Sequence, residues 1–209
     1  SIYPELLAGR IENRAITPDD LHPNDDGHEL VASVIIHVLE QIRVSAGMEV
    51  KSDSGEAEKV PLTANAYEDS IRYQNDSAVF TANGFVADQD RQDGITDIFK
   101  NGWTANQKGA TITFEVEGSC IGIQYRKTIK LPAPVAEVVI DDDSTHAVRL
   151  DANFDETWGD KLQLDTIAEH IEKEKHKVQI TITETHETDQ LPFYLVSVIA
   201  SGKEKKYII

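Results

Sequence analysis

Hydrophobic positions follow two different periods along this chain. Between residues 30 and 42, Leu30, Val31, Val34, Ile35, Val38, Leu39 and Ile42 recur at helical spacing, about 3.6 residues per turn. This predicts a helix with a wide apolar stripe. Asn24, Asp25 or Asp26 can cap its start, and Asp26 with Glu29 has the spacing of a capping box. Residues 3–11 form a shorter helical candidate, with Leu6, Leu7 and Ile11 on one face, and the Pro- and Asp-rich residues 17–26 read as a loop. So wide a stripe needs a larger surface than a short helix to bury against. Residues 1–43 are therefore expected to belong to an α/β unit most of which lies outside this chain.

From residue 63 the pattern changes to strands. Residues 78–86, 110–117, 120–126, 135–140, 147–150, 177–183 and 193–200 are rich in β-branched and aromatic side chains. Residues 111–117 and 178–183 alternate apolar and polar cleanly. One helical piece is expected near residues 166–175. Short strands in this number predict a β-sandwich or jelly roll over residues 63–202. Between the two parts, residues 44–62 read as a linker: residues 51–59 are charged, carry Ser and Gly and lack an apolar period, and Pro61 marks the end. The expected fold is mainly β, a sandwich preceded by a helical segment, with no internal repeat.

Composition narrows the function. Apolar residues make up 40% of the chain, enough for a packed core. The formal net charge of −17 argues against nucleic acid and against an anionic membrane surface as partners. No apolar run is long enough to span a bilayer, and no signal-peptide layout stands at the first residues. The compartment is left open between bacterial cytoplasm and export, with the cytoplasm favoured. A single cysteine, Cys120, excludes an internal disulfide and sits in an apolar strand-like run, which reads as a buried thiol.

The chemistry concentrates in Asp19-Asp20-Leu21-His22-Pro23-Asn24-Asp25-Asp26-Gly27-His28, which runs directly into the amphipathic helix. An aspartate three residues before a histidine can set its carboxylate against Nδ1, which fixes the tautomer and leaves Nε2 free to take a proton from a serine. Asp19, His22 and His28 could also be imagined around zinc. No second cluster supplies the remaining ligands, so no metal and no cofactor is implied.

This string resembles the last conserved block of the SGNH, or GDSL-type, hydrolases. The resemblance covers about residues 1–43. It implies an esterase in which Asp19 orients His22 and His22 is the general base, while His28 belongs to the helix start. The Gly-Asp-Ser nucleophile block, the oxyanion glycine and the Gly-x-Asn-Asp block are absent from these 209 residues, and no Gly-x-Ser-x-Gly elbow is present. The expectation is the C-terminal part of a hydrolase that needs the remaining hydrolase segment as its partner and is inactive by itself.

Residues 63–202 resemble the jelly-roll, galactose-binding-like accessory modules found beside carbohydrate esterases, through Asn101-Gly102-Trp103, residues 109–116 and 118–125, and His176 to Ile180. The resemblance implies an acylated carbohydrate as substrate. Trp103 and Trp158 lie in polar contexts, and Trp158 precedes Gly159-Asp160. Both indoles, with Asp160 as hydroxyl partner, are candidates for sugar binding; alternatively, both cap the sandwich core. Residues 88–93 and 141–143 are acidic but lack calcium-loop spacing and read as acidic turns. His146, His170, His176 and His186 read as surface or packing residues. The competing function is a non-catalytic carbohydrate-binding or interaction module.

Overall fold

The computed structural model describes residues 2–46, 67, 69–169, 171 and 173–202. The chain separates into two units, Ser1–Val60 and Pro61–Ile209. The first is helical: α1 (Tyr3–Leu7), α2 (Asn13–Ile16) and α3 (Asp25–Ala46). Helix α1 ends short of Ile11 because the chain folds back, with Arg10 forked onto the Glu5 carboxylate. The single turn of α2 was not evident in the sequence.

Helix α3 starts two residues earlier than a capping box at Asp26 requires. Its cap is Asn24, whose Oδ1 accepts the Gly27 N–H at 2.9 Å, and Asp25 and Asp26 fall in the first turn, where their charge suits the helix dipole. The helix also continues to Ala46, into the stretch expected to be linker, since Val44 extends the apolar period and Ser45 bonds back to the Gln41 carbonyl. The rest of the expected linker, residues 47–62, lies outside the described residues. Along α3, Leu30 and Val34 are half-buried, whereas Val31, Ile35, Val38, Leu39 and Ile42 are exposed.

The second unit is a sandwich of two antiparallel sheets. Its strands are β1 (Ile71–Tyr73), β2 (Phe80–Asn83), β3 (Val86–Ala87), β4 (Trp103–Ala105), β5 (Thr111–Gly118), β6 (Cys120–Lys127), β7 (Val135–Ile140), β8 (Val148–Asp151), β9 (Lys161–Ala168), β10 (Glu174–Glu184) and β11 (Phe193–Ser201). One sheet has the order β3-β4-β11-β6-β9, with β1 also pairing with β11; the other runs β2-β5-β10-β7-β8. Alternation does what the sequence promised. Ile112, Phe114 and Val116 of β5 and Val178, Ile180 and Ile182 of β10 meet Ile121, Ile123, Phe193, Leu195 and Val198 across the core.

Three expectations are corrected. Residues 166–175 are not helical, since β9 runs to Ala168 and β10 begins at Glu174. Ile167 and Ile171, at a helix-like spacing of four, both reach the core, and pairing with β6 holds the segment extended. Residues 78–86 are not one strand: β2 pairs with β5 in one sheet and β3 with β4 in the other, so the run crosses the sandwich. Trp103 opens strand β4 and is not in a loop.

Candidate functional site

The Asp19–His22 turn is built from the first unit alone. Asp19 Oδ2 lies 2.6 Å from His22 Nδ1, while Oδ1 accepts the backbone N–H groups of His22 at 2.7 Å and Leu21 at 3.1 Å. The imidazole contact and these two backbone donors hold the Asp19 carboxyl well below the usual carboxylate range. A carboxylate fixed on Nδ1 leaves Nε2 as the outward nitrogen, and Nε2 has no hydrogen-bond partner among the described residues. The side chains remain open, 76% exposed for His22 and 56% for Asp19.

Asp20 and Gly27, to which the sequence assigned no role, hold this turn in place together with the cap candidate Asn24. Asp20 adopts a left-handed backbone (φ 63°), tolerated best by Asn, Asp and Gly, and its carboxylate takes Asn13 Nδ2 at 2.9 Å and Arg14 at 2.8 Å from α2. Asn24 ties the far end of the turn to Ala15 O at 2.9 Å and Ile16 O at 3.0 Å. Gly27 sits against the same α2 end: a Cβ there would come within 2.3 Å of Ile16 O. The Asp-Asp and Asn-x-x-Gly spacings carried these roles in the sequence, but only the position of α2 gives them partners.

The sandwich contains close copies of the Asp–His contact. His146 Nδ1 lies 2.7 Å from Asp143 Oδ2, again three residues apart, in a single 3₁₀ turn at Ser144–His146. The Thr145 hydroxyl, the His146 ring and the Thr145 N–H hold Asp143 down to about 2. His186 pairs with Asp189 at 3.0 Å, and the buried His176 with Asp141 at 2.7 Å. His170 lies outside the described residues. Among the described residues, no cluster of three or more His, Cys, Asp or Glu could hold a metal ion.

The two tryptophans part company. Trp103 is 0% exposed, with its ring edge-on to Phe80 at 5.2 Å and Phe114 at 5.1 Å. No ring face is open to a sugar, so its candidacy as a binding residue is corrected: Trp103 is a core residue. Its Nε1 is buried without an acceptor among the described residues. Trp158 is 67% exposed and meets Phe154 edge-to-face at 5.2 Å, with Lys161 Nζ 5.6 Å from the Phe154 ring. Asp160 faces inward. Its Oδ1 accepts Thr128 Oγ1 at 2.7 Å and lies 3.4 Å from Ile129 N, and Oδ2 lies 3.9 Å from Arg126 Nε. The structure thus separates the candidates into a His22 turn on the helical unit and a Trp158 loop on the sandwich.

No family model and no curated relative matches the chain. Solved structures do. Two crystal structures of a two-domain esterase (CEX) active on acetylated mannans, one co-crystallised with mannopentaose, are each 60% identical over 97% of this chain, with TM-scores of 0.85 and 0.86. The chain covers 53% and 54% of those proteins, about half their length. A family 35 carbohydrate-binding module from Clostridium thermocellum, 12% identical over 64% of this chain and 98% of its own, has a TM-score of 0.39, too loose a likeness to argue from. By fold and by 60% identity, this chain is similar to one half of a two-domain esterase.

Proposed function

We propose that this chain is the C-terminal part of a serine esterase of the SGNH type that deacetylates carbohydrate, with the sandwich aiding substrate binding. The observation that carries the reading is the 2.6 Å contact of Asp19 with His22 Nδ1 in a turn braced against α2 and α3, with Nε2 directed to no other group among the described residues. The similarity to an esterase active on acetylated mannans supports the substrate class. A serine from the remaining hydrolase segment attacks the ester carbonyl as His22 Nε2 takes its proton. Asp19 stabilises the imidazolium, which then protonates the sugar oxygen as its bond to the acyl carbon breaks, freeing the sugar hydroxyl; water repeats the cycle on the acyl-enzyme and releases acetate. The exposed Trp158 ring offers the sandwich a face for stacking on a pyranose.

The test is acetate release from acetylated mannan by the full-length esterase. His22→Ala is expected to lower kcat about 10³-fold or more, and the 209-residue chain by itself is expected to release none. Wild-type turnover by the His22→Ala enzyme would overturn the assignment and leave the chain as a carbohydrate-binding module.

A further inference from the structure

Among the ion-paired arginines and lysines of the described residues, Arg126 is the most enclosed, with a side chain 13% exposed. It lies at the end of β6, and its guanidinium sits beside an edge-to-face pair of rings, with Cζ 5.8 Å from the centre of Phe99 and 5.5 Å from that of Tyr194, themselves 6.3 Å apart. Its NH2 donates to Pro192 O at 2.9 Å, and Nε faces Asp160 Oδ2 at 3.9 Å. Tyr194 in turn donates to Asp88 at 2.5 Å and accepts the Gly102 N–H at 3.3 Å. One side chain therefore touches three loops at the same end of the sandwich: the one before β4 through Phe99, the one before β11 through Pro192, and the one before β9 through Asp160.

The third loop carries Trp158. Between Trp158 and Asp160 stands Gly159 with φ 143°, where an added Cβ would meet nothing within 4 Å. This is an open pivot rather than a packed one. On the near side of the pivot, Trp158 has the Phe154 edge contact; on the far side, Asp160 is fixed by Thr128 and by the Arg126 charge. An exposed ring next to a free pivot would sweep many orientations, and ordering it on binding costs affinity.

We propose that Arg126 is a positioning residue for the Trp158 loop: by holding Asp160 beneath the Gly159 pivot, it presents the indole to a sugar chain in one orientation. Asp160 is then an anchor and not a hydroxyl ligand. The inference rests on the reading of Trp158 as a sugar contact, and its test separates the two. Mannopentaose is titrated calorimetrically into the full chain and into Arg126→Met, Arg126→Lys, Asp160→Asn and Trp158→Ala, alongside acrylamide quenching of tryptophan fluorescence. Because Trp103 is wholly buried, quenching reports on Trp158. Arg126→Met and Asp160→Asn are expected to weaken binding about tenfold and to raise quenching. Arg126→Lys, which keeps the charge but not the planar fork, is expected to fall between them and the wild type. Unchanged quenching and affinity in folded Arg126→Met would overturn the positioning role. Asp160→Asn decides the same point from the loop side should Arg126→Met fail to fold. If the wild type ignores mannopentaose, or Trp158→Ala binds it normally, the sugar reading fails, while the quenching comparison still decides whether Arg126 fixes the loop.

Discussion

Each unit of this protein holds an Asp-x-x-His turn, and the contact at the centre is nearly the same: 2.6 Å for Asp19–His22 and 2.7 Å for Asp143–His146. The surroundings differ. In the helical unit the turn is braced from both sides. Asp20 and Asn24 reach back to α2, and Asn24 also caps a 22-residue helix. In the sandwich the turn is a three-residue 3₁₀ segment joining β7 to β8, and Asp143 bonds within the turn itself. A pair at the right distance is cheap to make; a pair held by second and third partners is what a catalytic group requires. The 2.6 Å contact therefore gains its meaning from Asp20, Asn24 and Gly27.

The contrast is sharpest in activity. If the full-length protein is the proposed esterase, His22→Ala is expected to remove about three orders of magnitude of its kcat, and His146→Ala to change it by less than about twofold. Equal losses in acetate release would erase the distinction between the turns. Stability should divide the units the other way. Trp103→Ala is expected to cost about 3–5 kcal/mol, as large aromatic truncations in cores do. Ile35→Ala on the open face of α3 should stay within about 0.5 kcal/mol in this chain, both read from denaturant melts. A large Ile35→Ala effect would mean that the α3 face is covered.

The smallest effect concerns protons. Both aspartates are depressed, Asp143 to about 2 and Asp19 well below the usual carboxylate range. A carboxyl lowered on folding contributes stability that is present above its unfolded value, about 3.9. That contribution is lost as pH falls through the folded value. Both turns should therefore be intact at pH 4, and Asp143 should open toward pH 2. Carboxyl-carbon NMR at pH 3 should find both groups mostly ionised; ordinary titration near 3.9 would break the pairing of the two turns.

Much of the sandwich was legible because β5 and β10 obey period 2 with one face buried, while β11, buried along nearly all its length, shows as an apolar run. What failed was what depends on partners. Thr166 to Ala168 became strand because β6 needed an edge neighbour. Trp103, behind the polar Asn101-Gly102, went inward because Phe80 and Phe114 left a slot for it. At the site, Asp19 and His22 could be picked out by spacing, since three residues is a local distance. The 3.9 Å approach of Arg126 to Asp160 spans 34 positions of sequence and has no local signature.

The place of β11 has a consequence for how the protein is made. It is the last of the described strands, yet it lies inside its sheet, paired with β1, β4 and β6. A ribosome delivers about 5–20 residues per second, N-terminus first, so the earlier strands emerge and wait several seconds without the neighbour that joins them. During that interval β4 and β6 present open hydrogen-bonding edges, the feature that invites pairing with other chains. Emergence of β11, rather than of any earlier strand, is the moment at which the sandwich can close, and a stop codon anywhere before Phe193 would leave it open for good.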